Sequence, residues 1–86
     1  MPEICRFYGL LVRMYFDDHP PPHVHVHYGE FELVMQIDTL EPIRGELPPR
    51  ALSLLREWVL ANRDLLMQNW VRLEAGLPLI PVKPLE

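Results

Sequence analysis

Asp17-Asp18-His19-Pro20-Pro21-Pro22-His23-Val24-His25-Val26-His27-Tyr28 changes character at its midpoint. In the first half, consecutive prolines each hold φ near one value and push the preceding residue toward extended geometry, so the spacing predicts a stiff, extended bridge from His19 to His23. In the second half, His23, His25 and His27 alternate with Val24, Val26 and Tyr28, and a period of two predicts a strand. The three imidazoles then share one face, while Val24 and Val26 turn toward whatever layer covers the other. The stretch holds all four histidines, two of the twelve acidic residues and three of the ten prolines. It is therefore the candidate site as well as the centre of the fold.

The alternation continues on both sides. Tyr28-Gly29-Glu30 reads as a turn, after which residues 31–38 place Leu33, Met35 and Ile37 on one face against Glu32, Val34, Gln36 and Asp38. Toward the N-terminus, residues 4–16 are mostly β-branched, aromatic or long apolar, and Gly9 divides them into two strands of a hairpin. Val12, Met14 and Phe16 point one way; Leu11, Arg13 and Tyr15 point the other, toward the histidines. Residues 41–47 suit at most a short edge strand, because Pro42 and Gly45 fit a central one poorly.

Pro48-Pro49 opens a helical segment that carries no proline or glycine until Gly76. On a wheel, Leu54, Leu55, Trp58, Val59, Leu65, Leu66, Trp70 and Leu73 form a broad apolar face, opposed by Arg50, Ser53, Arg56, Glu57, Asp64, Gln68 and Glu74. Asn62 and Asn69 fall inside the apolar face. Each needs a hydrogen-bond partner or marks a break, and Asn62 is favoured as the N-cap of a second helix. The expected fold class is α+β: an antiparallel sheet of about four or five strands built from hairpins, one face covered by a long or broken C-terminal helical segment. Residues 77–86 carry proline at every third position and predict an extended tail. It lies either in a groove of its own domain or, the reading favoured by small size, across another subunit.

Eighty-six residues suit one domain, 1–86, with 1–47 mainly strands, 48–76 helical and 77–86 the tail. A core this modest gains from a partner surface, so a homodimer is a candidate state. The apolar runs are too short to span a bilayer, and the opening residues lack a basic, then apolar, leader, so a cytoplasmic protein without membrane contact is expected. Cys5, alone, fits a reducing compartment and a buried place in an apolar run. The net charge of −4 disfavours non-specific nucleic-acid binding. Seven of the eight basic residues are nonetheless arginine, the cation suited to bidentate pairing with carboxylate or phosphate.

The opening Met1-Pro2-Glu3-Ile4 with Arg6-Phe7-Tyr8-Gly9, then Met14-Tyr15, the block Asp18-His19-Pro20-Pro21-Pro22-His23-Val24-His25-Val26, Gly45-Glu46-Leu47-Pro48, Trp58 and Asn69-Trp70 together resemble the small prokaryotic proteins of the domain-of-unknown-function 4160 family. The likeness spans essentially the whole chain, and its specific part is the Asp-His-x-Pro-Pro-His-x-His block. It implies a compact bacterial or archaeal protein, often encoded beside a second small protein in a pattern similar to toxin–antitoxin pairs. It brings no assigned catalytic residue. His23 and His25 match the block; His27 lies just beyond it.

Three readings of the block remain open from sequence. In the first, His19, His23 and His25, with Asp18 as an alternative third ligand, hold a divalent metal such as zinc. In the second, His25 or His23 moves a proton without metal while Tyr15 assists and Arg13 holds an anionic group, as a ribonuclease or phosphotransferase requires. In the third, Asp18 and His19 cap a turn and His23 and His25 bond to backbone or to Asn62 and Asn69. The exposed face, carrying Arg13, Tyr15, Asp18, His19, His23, His25 and His27, then docks a partner. The expected role is the third: a protein–protein interaction component of a two-gene regulatory, toxin–antitoxin-like module, partnered by the product of the adjacent small gene.

Overall fold

A computed structural model describes residues 3–15 and 19–86. The chain runs β1 (Glu3–Phe7), β2 (Leu10–Arg13), β3 (His23–Tyr28), β4 (Phe31–Gln36), β5 (Pro42–Gly45), α1 (Pro49–Ala61) and α2 (Arg63–Glu74). The strands form one antiparallel sheet in sequence order. Short connections explain that order: Tyr8 and Gly9, both at positive φ, reverse β1 into β2, and Gly29-Glu30 reverses β3 into β4. The α+β class and the hairpin-built sheet agree with the sequence. The edge position of β5 agrees too.

The apolar sides of the strands meet the helices in one core. Leu10, Val12, Val24, Val26, Leu33 and Met35 are buried from the sheet; Leu55, Trp58, Val59, Leu66, Trp70 and Leu73 are buried from the helices. Each such side chain contributes about 1.5–3 kcal/mol through removal from water, so the alternation and the helical stripe fix which faces meet. Phe7 and Trp58 mark the contact, their ring centroids 5.2 Å apart. Val24 and Val26 lie beneath the helices as expected. Phe16, expected on the same face as Val12 and Met14, lies outside the described residues, as do Asp17 and Asp18. No helix among the described residues is long and apolar enough to cross a membrane.

Three local expectations are corrected. The helical segment does break at Asn62, but that side chain does not cap α2; Nδ2 donates backward to the Trp58 carbonyl at 2.9 Å. That carbonyl also accepts the Asn62 backbone N–H at 3.1 Å, so Asn62 closes the last turn of α1 with both its backbone and its side chain. The proline bridge is a bend at Pro20 and Pro21 rather than an extended spacer, and the bond between them is cis. The tail packs on its own domain. Val82 enters the core, Arg72 Nε donates to the Pro78 carbonyl at 2.7 Å, and Trp58 Nε1 donates to the Lys83 carbonyl at 2.8 Å. Asn69 bonds to the tail as well, so neither helix asparagine reaches a histidine.

Candidate functional site

The sheet face opposite the helices bears the polar half of each alternation. Glu3 pairs with Arg13, Arg13 with His25, His25 with Val34, and Val34 with Arg44. These residues form one row across all five strands, with neighbours roughly 4.5–5.5 Å apart across each pair. A second row sets Arg6 against Leu11, Leu11 against His27, and His27 against Glu32.

Two depressions on this face share His25, Val34 and Arg44. One, about 410 Å³, continues past Tyr15 to His27, Glu32 and Gly45; the other, about 260 Å³, continues to His19, Pro20, Pro21 and His23. Val34, only 8% exposed, is the apolar floor between them. Gly45 lets β5 come this close, because a Cβ there would run into the Glu32 backbone carbonyl.

The imidazoles have different surroundings. Tyr15 meets the His25 ring edge-on, with centroids 4.5 Å apart at 87°. His23, expected on the solvent side with His25, is 9% exposed because its ring stands 5.0 Å from His25 and 5.2 Å from Trp70 of α2. Its Nδ1 lies 2.7 Å from the Pro21 carbonyl, and since a carbonyl only accepts, that nitrogen carries the proton. This contact closes the proline bend onto the start of β3. His27 stands apart, its Nδ1 3.2 Å from Glu32 Oε1 on the facing strand. Asp18 lies outside the described residues.

Electrostatics favour an anionic ligand on the first row. Among the described residues the ion pairs are Arg6 with Glu3 and His27 with Glu32, and neither Arg13 nor Arg44 takes part in one. Arg13 Nε is buried and has no acceptor among the described residues, although an arginine donor so placed ordinarily has one. Two guanidiniums thus flank His25 and Val34 on a chain whose overall charge is negative.

The structure brings Arg13, Tyr15, His19, His23 and His25 into one region and leaves His27 at its border. Among the described residues, no group of three His, Cys, Asp or Glu side chains is arranged to hold a metal ion. Sequence reading missed Arg44, Val34 and Glu32. Arg44 precedes Gly45 in a stretch whose proline and glycine obscure the strand, but once β5 is assigned, its pairing with Val34 puts it beside the histidines.

A family model described as Domain of unknown function (DUF4160) matches residues 9–71. No curated protein and no solved structure matches the chain.

Proposed function

The chain belongs to the DUF4160 family, and we propose that it is a protein–protein interaction component that docks an acidic partner polypeptide on its open sheet face. The observation that carries this reading is the row Arg13–His25–Val34–Arg44, in which two arginines without ion-pair partners among the described residues flank an apolar floor. Arginine and tyrosine are the side chains that most often anchor interfaces, and a shallow depression suits a protruding partner segment better than a flat contact does. Carboxylates are the acceptors that pair bidentately with guanidiniums. The candidate partner is the small protein encoded beside this one, as in a two-gene regulatory module of the toxin–antitoxin kind, acting in the cytoplasm.

The test is co-purification of the untagged protein with its neighbour's product, followed by calorimetry. A stable complex is expected, and Arg13→Ala with Arg44→Ala should weaken it at least about tenfold, since truncation of an anchoring residue costs on the order of 2 kcal/mol. A complex indifferent to both changes would sink the reading.

A second reading draws on the 260 Å³ depression, where His19, His23 and His25 surround a space that Arg44 also lines. That set could hold a phosphate and move a proton, as a metal-free ribonuclease or phosphotransferase does. RNA cleavage lost in His25→Ala, with the fold intact, would favour it over docking; no cleavage and no growth arrest on expression would remove it.

A further inference from the structure

The two rows of the open sheet face carry opposite charge. The first holds Arg13 and Arg44 on either side of His25 and Val34; the second, two residues along β3 and β4, sets His27 against Glu32. The 410 Å³ depression joins them, with His25, Val34 and Arg44 at one end and His27 and Glu32 at the other. An antiparallel strand rises about 3.4 Å per residue, so the rows lie about 7 Å apart.

Glu32 and Arg44 are diagonal neighbours on adjacent strands, near enough for long side chains to meet, yet no ion pair among the described residues joins them. The Glu32 carboxylate is engaged from the β3 side instead, where His27 Nδ1 stands 3.2 Å from Oε1. One such contact leaves most of the carboxylate's acceptor capacity open, and the side chain is 73% exposed. The anion and the cation therefore keep separate places at the two ends of one depression. A wholly acidic segment laid along it gains at Arg44 and is repelled at Glu32. A segment carrying one carboxylate and one cation gains at both. An extended chain presents side chains on one face every second residue, about 7 Å apart, which is the spacing of the rows.

Building on the docking reading of this face, we infer that the depression selects its occupant by charge register: an extended partner segment with an acidic residue over His25 and Arg44 and a basic residue two positions away over Glu32. Glu32 is the specificity-determining residue, because it rejects a second acid at that place. His27 positions it by holding the carboxylate on the β3 side, away from Arg44.

NMR titration of the labelled full-length protein tests this with three synthetic peptides, Glu-Thr-Lys, Glu-Thr-Glu and Glu-Thr-Thr-Lys, each flanked by uncharged residues. Glu-Thr-Lys should bind about fivefold tighter than Glu-Thr-Glu, the scale of exchanging one exposed like-charge pair for an attractive one. Glu-Thr-Thr-Lys, whose cation falls on the opposite face of the extended chain, should lose that advantage. Glu32→Lys should reverse the order of the first two peptides, and Glu32→Gln should level them. Equal affinity for those two in the wild type, or an order unchanged in Glu32→Lys, would overturn the inference. If such unselective binding disappears in Arg13→Ala with Arg44→Ala, docking on the face stands and only the charge register is lost. Absence of any shift on the face with all three peptides would also overturn the inference, and co-purification with the neighbour's product then judges the docking reading separately.

Discussion

Asn69 and Ile80 exchange two hydrogen bonds across eleven positions of sequence, the amide acting once as donor and once as acceptor. An asparagine on the apolar stripe of an amphipathic helix is thereby fully satisfied, and the backbone of the tail is fixed at its midpoint. Replacing Asn69 with alanine removes the partner of both the carbonyl and the N–H of half-buried Ile80. The expected loss is about 1–3 kcal/mol, measured by urea denaturation, with the Ile80 amide losing its exchange protection. Unchanged protection would mean that the pair does not hold the tail.

Trp58 carries more of the core than any other single side chain, since it is fully buried, packs on Phe7 and also donates to Lys83. Trp58→Ala should cost about 3–5 kcal/mol, and Trp70→Ala a comparable amount. Arg56→Ala, on the exposed side of α1, should stay within about 0.5 kcal/mol. Equal midpoints in equilibrium denaturation would contradict the helix–sheet contact described above.

The two matched histidines should separate in their effects. His23→Ala removes the donor to Pro21 and the contact with Trp70, so it should destabilise by about 1–3 kcal/mol and loosen the proline bend. His25 is half-exposed on the open face. His25→Ala should melt within a few degrees of wild type, since ~1 kcal/mol shifts Tm by about 4–8 °C in a domain this size, while partner binding falls. A melt in which His25→Ala is the worse of the two would reverse these assignments.

What sequence could show and what it could not divide along physical lines. Period-two alternation exposes strand faces directly, so Val24, Val26, Leu33 and Met35 were legible as core, and the hairpins followed from the turns at Gly9 and Gly29. His23 was not legible: alternation assigns a face, but says nothing about a tryptophan from a distant helix reaching that ring. Asn69 and the tail were half legible. Position on the apolar stripe demanded a partner, and only the folded chain identifies it as Ile80. Arg44 was hidden because Pro42 and Gly45 weaken the strand signal on either side of it.

Burial pushes the Cys5 thiol up, chiefly by depriving the thiolate of solvent; the Arg6 backbone hydrogen bond opposes the rise and the charge of Glu3 adds to it. The folded state therefore holds the thiol proton to higher pH than the unfolded state. This contribution to stability is complete below the unfolded thiol's pKa and is lost as pH rises through the folded value. Denaturation midpoints measured from neutral to alkaline pH should fall less steeply in Cys5→Ala than in wild type. Alkylation of native Cys5 should be slow and should accelerate on unfolding.

Gly45 ties the fold to the proposed interface. It adopts φ +85, and a Cβ there would run into the Glu32 carbonyl, so Gly45→Ala combines left-handed strain with a backbone collision that no side-chain rotation relieves. The Glu46 N–H, which donates to that same carbonyl at 2.9 Å, would be drawn away with it. Because β5 is an exposed edge strand, the local route to relief is for β5 to peel from β4 while the core stays folded. Arg44 would then leave its place opposite Val34, and the first row would end at β4. The expected outcome is lost amide protection in β4 and β5, a stability loss of about 1–3 kcal/mol, and partner affinity reduced as far as in Arg44→Ala. Full affinity in a Gly45→Ala protein whose β5 amides exchange freely would show that the partner does not use Arg44, and would confine the interface to β2, β3 and β4.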